Sequence, residues 1–147
     1  MFKNKMNRSK GFTIIELLVV VAIIAVLAAI VLINVTSYIA KGKDAAIKGN
    51  LATILINGAV FYDAASPSTY VGFITGGGCA AGNNTFKAPR DAAAAAGGTV
   101  SCPDSTVSAF CVRSILNGGG SYCVDSTGFK GTPAAATDCA TTDLTCL

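Results

Sequence analysis

Hydrophobic and polar positions divide the chain into three textures. Residues 12–33 are almost wholly apolar, broken by one carboxylate at Glu16. As a helix, these roughly 22 residues reach about 33 Å at about 1.5 Å each, enough for a hydrocarbon core of about 30 Å. From Val35 the pattern becomes periodic. Val35, Ile39, Ile47, Leu51, Ile54 and Leu55 recur at three- and four-residue steps, while Lys41, Asp44 and Lys48 take an opposite, charged face. This spacing predicts an amphipathic helix continuing to about Tyr62, with the apolar stripe as a seat for a sheet. Gly42 and Gly49 inside it cost about 1 kcal/mol each relative to alanine, which calls for either close packing or a bend.

After Asp63 turn chemistry takes over at Ser66-Pro67-Ser68, Gly76-Gly77-Gly78 and Gly82-Asn83-Asn84, predicting a long surface connection. Residues 91–96, followed by Gly97-Gly98, read as one short helical turn with an acid at its start and a glycine stop. Residues 99–101, 108–116 and 121–126 read as strands, the last two joined by Asn117-Gly118-Gly119-Gly120, a hairpin signal rich in positive-φ residues. A further strand is expected near Gly128-Phe129. The expected fold is therefore α+β: one long N-terminal helix packed on a small antiparallel sheet, with a disulfide-bonded C-terminal region.

Charge gives the helix a direction. Lys3, Lys5, Arg8 and Lys10 precede the apolar run with no acid among them, marking the cytoplasmic end and placing the rest outside. A secretory signal peptide has an apolar core of only about 7 to 15 residues and loses it on cleavage. Here Gly11, small and placed before the apolar run, offers a cut that would keep the helix. The alternative for the run is a simple uncleaved anchor. Glu16 needs a partner, because a carboxylate deep in a bilayer costs on the order of 2.5 kcal/mol or more. Thr13 and Glu16 also stand at capping-box spacing, so the acid could instead serve its own helix end.

Together Lys10-Gly11-Phe12-Thr13-Ile14-Ile15-Glu16-Leu17 resemble the processing site of type IV prepilins and type II secretion pseudopilins, a likeness that continues to about Tyr62. The resemblance implies a pilin-like fold and a leader, residues 1–11, removed by a prepilin peptidase after Gly11 with N-methylation of Phe12. It further implies a transmembrane and filament-core segment at 12–33, an amphipathic continuation at 34–62 and a head at 63–147. Glu16 would meet the terminal amine of a neighbouring subunit. The implied partners are copies of the chain and other pilins, the peptidase, an inner-membrane platform protein and an assembly ATPase. The implied location is the cytoplasmic membrane before assembly, then a surface filament or pseudopilus. The chain departs from the family in lacking a proline near Leu32-Ile33-Asn34-Val35, and it has Ala25 and Ala28-Ala29 where many relatives have a glycine.

Six cysteines, Cys79, Cys102, Cys111, Cys123, Cys139 and Cys146, all fall in the outward part, which predicts three disulfides in an oxidising space. Among the fifteen possible pairings, joining sequence neighbours gives Cys79–Cys102, Cys111–Cys123 across the hairpin, and Cys139–Cys146. A zinc site is not expected from this spacing, which has no Cys-x-x-Cys and no histidine.

The absence of histidine also excludes a His-based triad or proton shuttle, so no enzyme activity and no cofactor are expected. The two triple-glycine segments lack the Lys-Ser/Thr of a phosphate loop. Asp125, Asp138 and Asp143 could offer oxygens to calcium, which some pseudopilins bind here, but solvated loop acids are the expectation because no ligand spacing matches. Asn34-Val35-Thr36 and Asn83-Asn84-Thr85 fit the glycosylation triplet, a pattern common by chance. Formal charge is +3, yet four of the 11 basic residues lie in the leader. The processed chain would carry seven basic against eight acidic residues, and no basic patch suggests direct nucleic-acid binding. The competing class is a monomeric, membrane-anchored extracytoplasmic binding protein.

Overall fold

The computed structural model describes residues 11–77, 79, 81–133, 139 and 144–146. The leader residues 1–10, the glycine at 78 and the acids at 138 and 143 lie outside the described residues. The chain forms two units, residues 1–37 and 38–147. A single helix, α1 (Ile14–Ala64), contributes residues to both. In the first unit its apolar side chains are solvent-facing: Phe12 and Ile14 are each 82% exposed, and Leu17, Leu18, Ile23 and Leu27 are exposed as well.

In the second unit the periodic stripe becomes a core face. Ile47, Leu51 and Ile54 are fully buried, while Ile39, expected on the same stripe, stays exposed, as does Val35 in the first unit. Gly58 completes that face: a Cβ there would stand 2.5 Å from the Phe110 ring, so only glycine lets the ring lie against the helix. Gly42 and Gly49 have nothing within 4 Å of such a Cβ, so among the described residues no packing compensates them.

The connection after α1 is more structured than its turn chemistry predicts. Strands β1 (Ile74–Thr75) and β2 (Ala81–Gly82) pair antiparallel. Helix α2 spans Asn84–Ala95, so the expected short turn over 91–96 is the last part of a longer helix. The Asn83 Oδ1 caps it, accepting from the Thr85 N–H at 2.9 Å, which satisfies an N–H that the first turn leaves without a helical partner. Phe86, Pro89 and Ala93 form its buried face at helical spacing. Gly97, at φ +95°, ends it as expected, and the Gly98 N–H returns to the Ala93 carbonyl at 3.1 Å.

A four-stranded antiparallel sheet follows in the order β3-β4-β5-β6, comprising Thr99–Ser101, Cys111–Ile115, Ser121–Asp125 and Lys130–Gly131. Residues 117–120 make the β4–β5 turn, with Gly119 and Gly120 at positive φ and the Leu116 N–H donated to the Gly120 carbonyl at 3.1 Å. Strand alternation gives the two faces different tasks. Val112 and Val124 join Ile47, Leu51, Phe73, Phe86 and Phe110 in the main core. Within it, the Phe73 ring centroid lies 5.1 Å from Phe110 and 5.6 Å from Phe86, both edge-on, a favoured aromatic arrangement. Cys111 and Cys123 point to the other face, where Cys139, Cys146, Phe129 and Leu144 build a second cluster. Long apolar helix, small antiparallel sheets and a disulfide-bonded C-terminal region make this an α+β, pilin-like fold.

Candidate functional site

Helix α1 begins with a reciprocal cap. The Thr13 N–H donates to Glu16 Oε2 at 2.8 Å, the Thr13 hydroxyl donates to the same oxygen at 2.7 Å, and the Glu16 N–H donates to Thr13 Oγ1 at 3.3 Å. These contacts are the capping box that the spacing allows. Both residues are exposed, as are Gly11 and Phe12 beside them. Within one chain, then, the carboxylate orders its own helix end and remains open to a further partner. The apolar side chains that continue from it have no contacts that bury them in this chain.

Asp44, expected on the solvent face, instead serves the β4–β5 turn. Its Oδ1 accepts from the Asn117 N–H at 2.7 Å and the Asn117 side-chain amide at 3.2 Å, and its Oδ2 accepts from the Gly118 N–H at 2.9 Å. Asn117 also donates to the Ala96 carbonyl at 3.2 Å, so one turn residue ties α1 to the end of α2. Desolvation works against the charged carboxylate, but the Gly118, Asn117 and Lys48 interactions together outweigh it and hold its pKa below the ordinary aspartate value. The Lys48 ammonium lies 5.7 Å from the Tyr122 ring centroid, within cation–π range. Farther along, burial, with Tyr62 and Asp63 nearby, raises the Tyr70 pKa.

All six cysteines are bonded, but two of the three expected pairings are corrected. Cys79–Cys102 forms as read, with its Cα atoms 5.3 Å apart. Cys111 joins Cys139 and Cys123 joins Cys146, at 5.5 and 5.9 Å between Cα atoms. Strand register explains the change: Cys111 stands opposite Asp125 and Cys123 opposite Arg113, so the two cysteines are diagonal rather than facing. Cys139 and Cys146, with Leu144 beside them, instead join this face and supply the partner for each.

Asp125 is a second correction. It is fully buried, accepting from the Thr127 N–H at 2.9 Å and hydroxyl at 2.6 Å through one oxygen, and from the Cys146 N–H at 2.8 Å through the other. It is a structural acceptor that holds the tail, not a solvated loop acid. Asn83 spends its amide oxygen on the α2 cap, and Asn34 donates to the Ile30 carbonyl at 3.2 Å within α1. A groove of about 410 Å³ beside α1 is lined by Leu55, Ile56, Val60, Tyr70 and Phe110 with Asp63 at its edge.

An exposed apolar helix with a single acid near its start, followed by a small disulfide-bonded α+β head, is a pilin-like arrangement. Comparison with known proteins points the same way. Residues 6–32 match the family described as prokaryotic N-terminal methylation motif. Over 47 residues the chain is 51% identical to the type IV major alpha-pilin of Moraxella bovis, and equally to fimbrial protein Q of the same organism. Each match covers 32% of this chain and 30% of the relative, so the similarity spans less than a third of either length. No solved structure matches significantly. The N-terminal part of the chain is thus type IV pilin-like in sequence, and the resemblance read from residues 10–17 is matched by these comparisons.

Proposed function

We propose that the protein is a structural, non-enzymatic subunit of a type IV pilus or pseudopilus, polymerising through the N-terminal half of α1. The observation that carries this reading is the continuous exposed apolar surface from Phe12 onward with Glu16 as its one acid. A soluble monomer would leave that surface in water at about 25 cal/mol per Å², whereas a bilayer and then a bundle of identical helices each remove it. The N-terminal match to a major pilin supports the same outcome.

In the sequence of events we infer, residues 12–33 hold the subunit in the cytoplasmic membrane with the head outside. A prepilin peptidase removes residues 1–11 and methylates Phe12. An inner-membrane platform protein and an ATPase then drive extraction into the filament, where the Phe12 amine of one subunit meets Glu16 of another. The test is electron microscopy of sheared surface material from cells with and without the protein, combined with intact-mass analysis. Filaments that contain a chain beginning at methylated Phe12, and that vanish with Gly11→Val, are the expected result. Surface chain retaining Met1 and forming no filament would replace this reading with a monomeric anchored binding protein.

A further inference from the structure

Two disulfides meet at one point on the sheet face that the tail covers. The Sγ of Cys111, although bonded to Cys139, lies 3.5 Å from that of Cys123 and 3.6 Å from that of Cys146. The sulfurs of Cys111, Cys123 and Cys139 all lie within 4.8 Å of one another. In a tetrahedral zinc–thiolate centre with bonds of about 2.3 Å, neighbouring sulfurs stand about 3.8 Å apart. The Cys111–Cys123 and Cys111–Cys146 separations are already close to that edge, whereas Cys146 lies outside the group of three, so the fourth sulfur has to move toward Cys139 as the bonded pairs part. All four cysteines are buried. Arg113 stands directly opposite Cys123 in the strand register, on the same face, which places a cation near sulfurs that would become anionic.

We infer that these four cysteines, when reduced, form one tetrahedral site for a soft divalent cation of the zinc class. The cluster then has two closed forms, a pair of disulfides or a single metal tetrathiolate, and either one clamps the tail to β4 and β5. The chemistry balances. Each disulfide takes two electrons and two protons from an external dithiol, which itself becomes a disulfide. The metal then displaces the four thiol protons as four metal–sulfur bonds form. Bound metal occupies the thiolates that oxidation would consume, so metal and oxidant compete for the newly exported chain. Linear spacing gives no hint of the site, because residues 111, 123, 139 and 146 converge only through the hairpin and the returning tail. Cys79 and Cys102 belong to the main core and form an internal control.

The test uses the full chain in detergent micelles, reduced anaerobically with a phosphine and titrated with cobalt(II), then zinc(II). One cobalt per chain with the visible spectrum of a tetrahedral thiolate complex, displaced by zinc, is expected. The Cys79→Ser/Cys102→Ser variant should behave identically. Loss of even an outer partner of a metal ligand typically costs 10–100-fold in affinity, so Cys111→Ser/Cys139→Ser, which removes two ligands, should weaken binding by more than about 100-fold. The zinc-loaded chain should also resist re-oxidation of these four thiols by mass. No tetrahedral spectrum, including from a reduced head that fails to hold its fold, would overturn the inference, as would binding that is unchanged in Cys111→Ser/Cys139→Ser.

Discussion

The Asn57 side-chain amide of α1 donates to the Thr85 carbonyl of α2 at 2.6 Å. Thr85 lies four residues before Pro89, which has no N–H to donate, so this carbonyl has lost its helical partner. Asn57 replaces it from a different helix. Removing the amide with Asn57→Ala should cost about 1 kcal/mol of head stability. In a Pro89→Ala background, where the N–H is restored, the same change should cost less, with a coupling of about 0.5 kcal/mol or more. Denaturant unfolding of the four proteins measures this, and strictly additive effects would show that the two positions are unlinked.

Gly58 and Gly49 sit on the same helix with opposite expectations. A methyl at Gly58 meets the Phe110 ring at 2.5 Å, so Gly58→Ala should destabilise the head by about 1 to 3 kcal/mol through overpacking. At Gly49 nothing lies within 4 Å, and Gly49→Ala should stabilise the isolated chain by up to about 1 kcal/mol. Thermal unfolding in detergent separates the two, and a destabilised Gly49→Ala would show that the helix needs glycine there for its backbone.

Asp44 makes the head sensitive to acid. Its carboxylate has a folded-state pKa below the ordinary value, so its contribution is complete above about pH 4 and is lost as pH falls through the lower folded pKa. Asp44→Asn should therefore lower the melting temperature at neutral pH, and the gap from wild type should close in acid. A gap that is constant with pH would mean that the charge is not what holds the Asn117–Gly118 turn.

The cysteine pairing has a direct check. Peptide mapping without reduction should recover Cys79–Cys102, Cys111–Cys139 and Cys123–Cys146. The last closes a separation of 23 residues, and its loss in Cys123→Ser/Cys146→Ser should cost about 3 kcal/mol. Recovery of Cys111 bonded to Cys123 would reinstate the pairing of sequence neighbours.

What could be read from the sequence was local. The apolar run, the Ile47-Leu51-Ile54 stripe, the Asn117–Gly120 turn and the strand at 99–101 are each set by periodicity or turn chemistry within about ten residues. The expected turn over 91–96 falls short of α2 because Gly82-Asn83-Asn84 reads as turn chemistry. Asn83 is in fact the cap, Pro89 is buried, and Phe86, Pro89 and Ala93 at helical spacing were the available signal. The features that spacing misplaces are long-range. Asp44 is satisfied by backbone donors from a turn 73 residues away, and the disulfides depend on a two-residue offset in strand register that no spacing rule contains.

Glu16 presents the sharpest division between one chain and an assembly. Its contacts with Thr13 account for a carboxylate at a helix start, and if they are its whole role, Glu16→Ala should fray the first turn and leave filaments near wild-type abundance. If Glu16 also meets the Phe12 amine of a neighbour in an apolar filament core, removing it strands a charge that the core cannot solvate, and every subunit repeats that loss. Breaking a buried pair from one side is strongly unfavourable, so surface filaments should fall by more than about tenfold. Processing after Gly11 should continue, since the junction is intact, and the mutant should accumulate as mature subunit in the membrane. Thr13→Ala separates the roles, because it removes the two hydroxyl contacts of the cap while keeping the carboxylate and the backbone N–H that meets it: it should retain filaments if the intersubunit pair matters and shift toward Glu16→Ala if the cap does. Immunoblots of sheared filaments against the membrane fraction read both variants, and abundant filaments from Glu16→Ala would leave the cap as the residue's function.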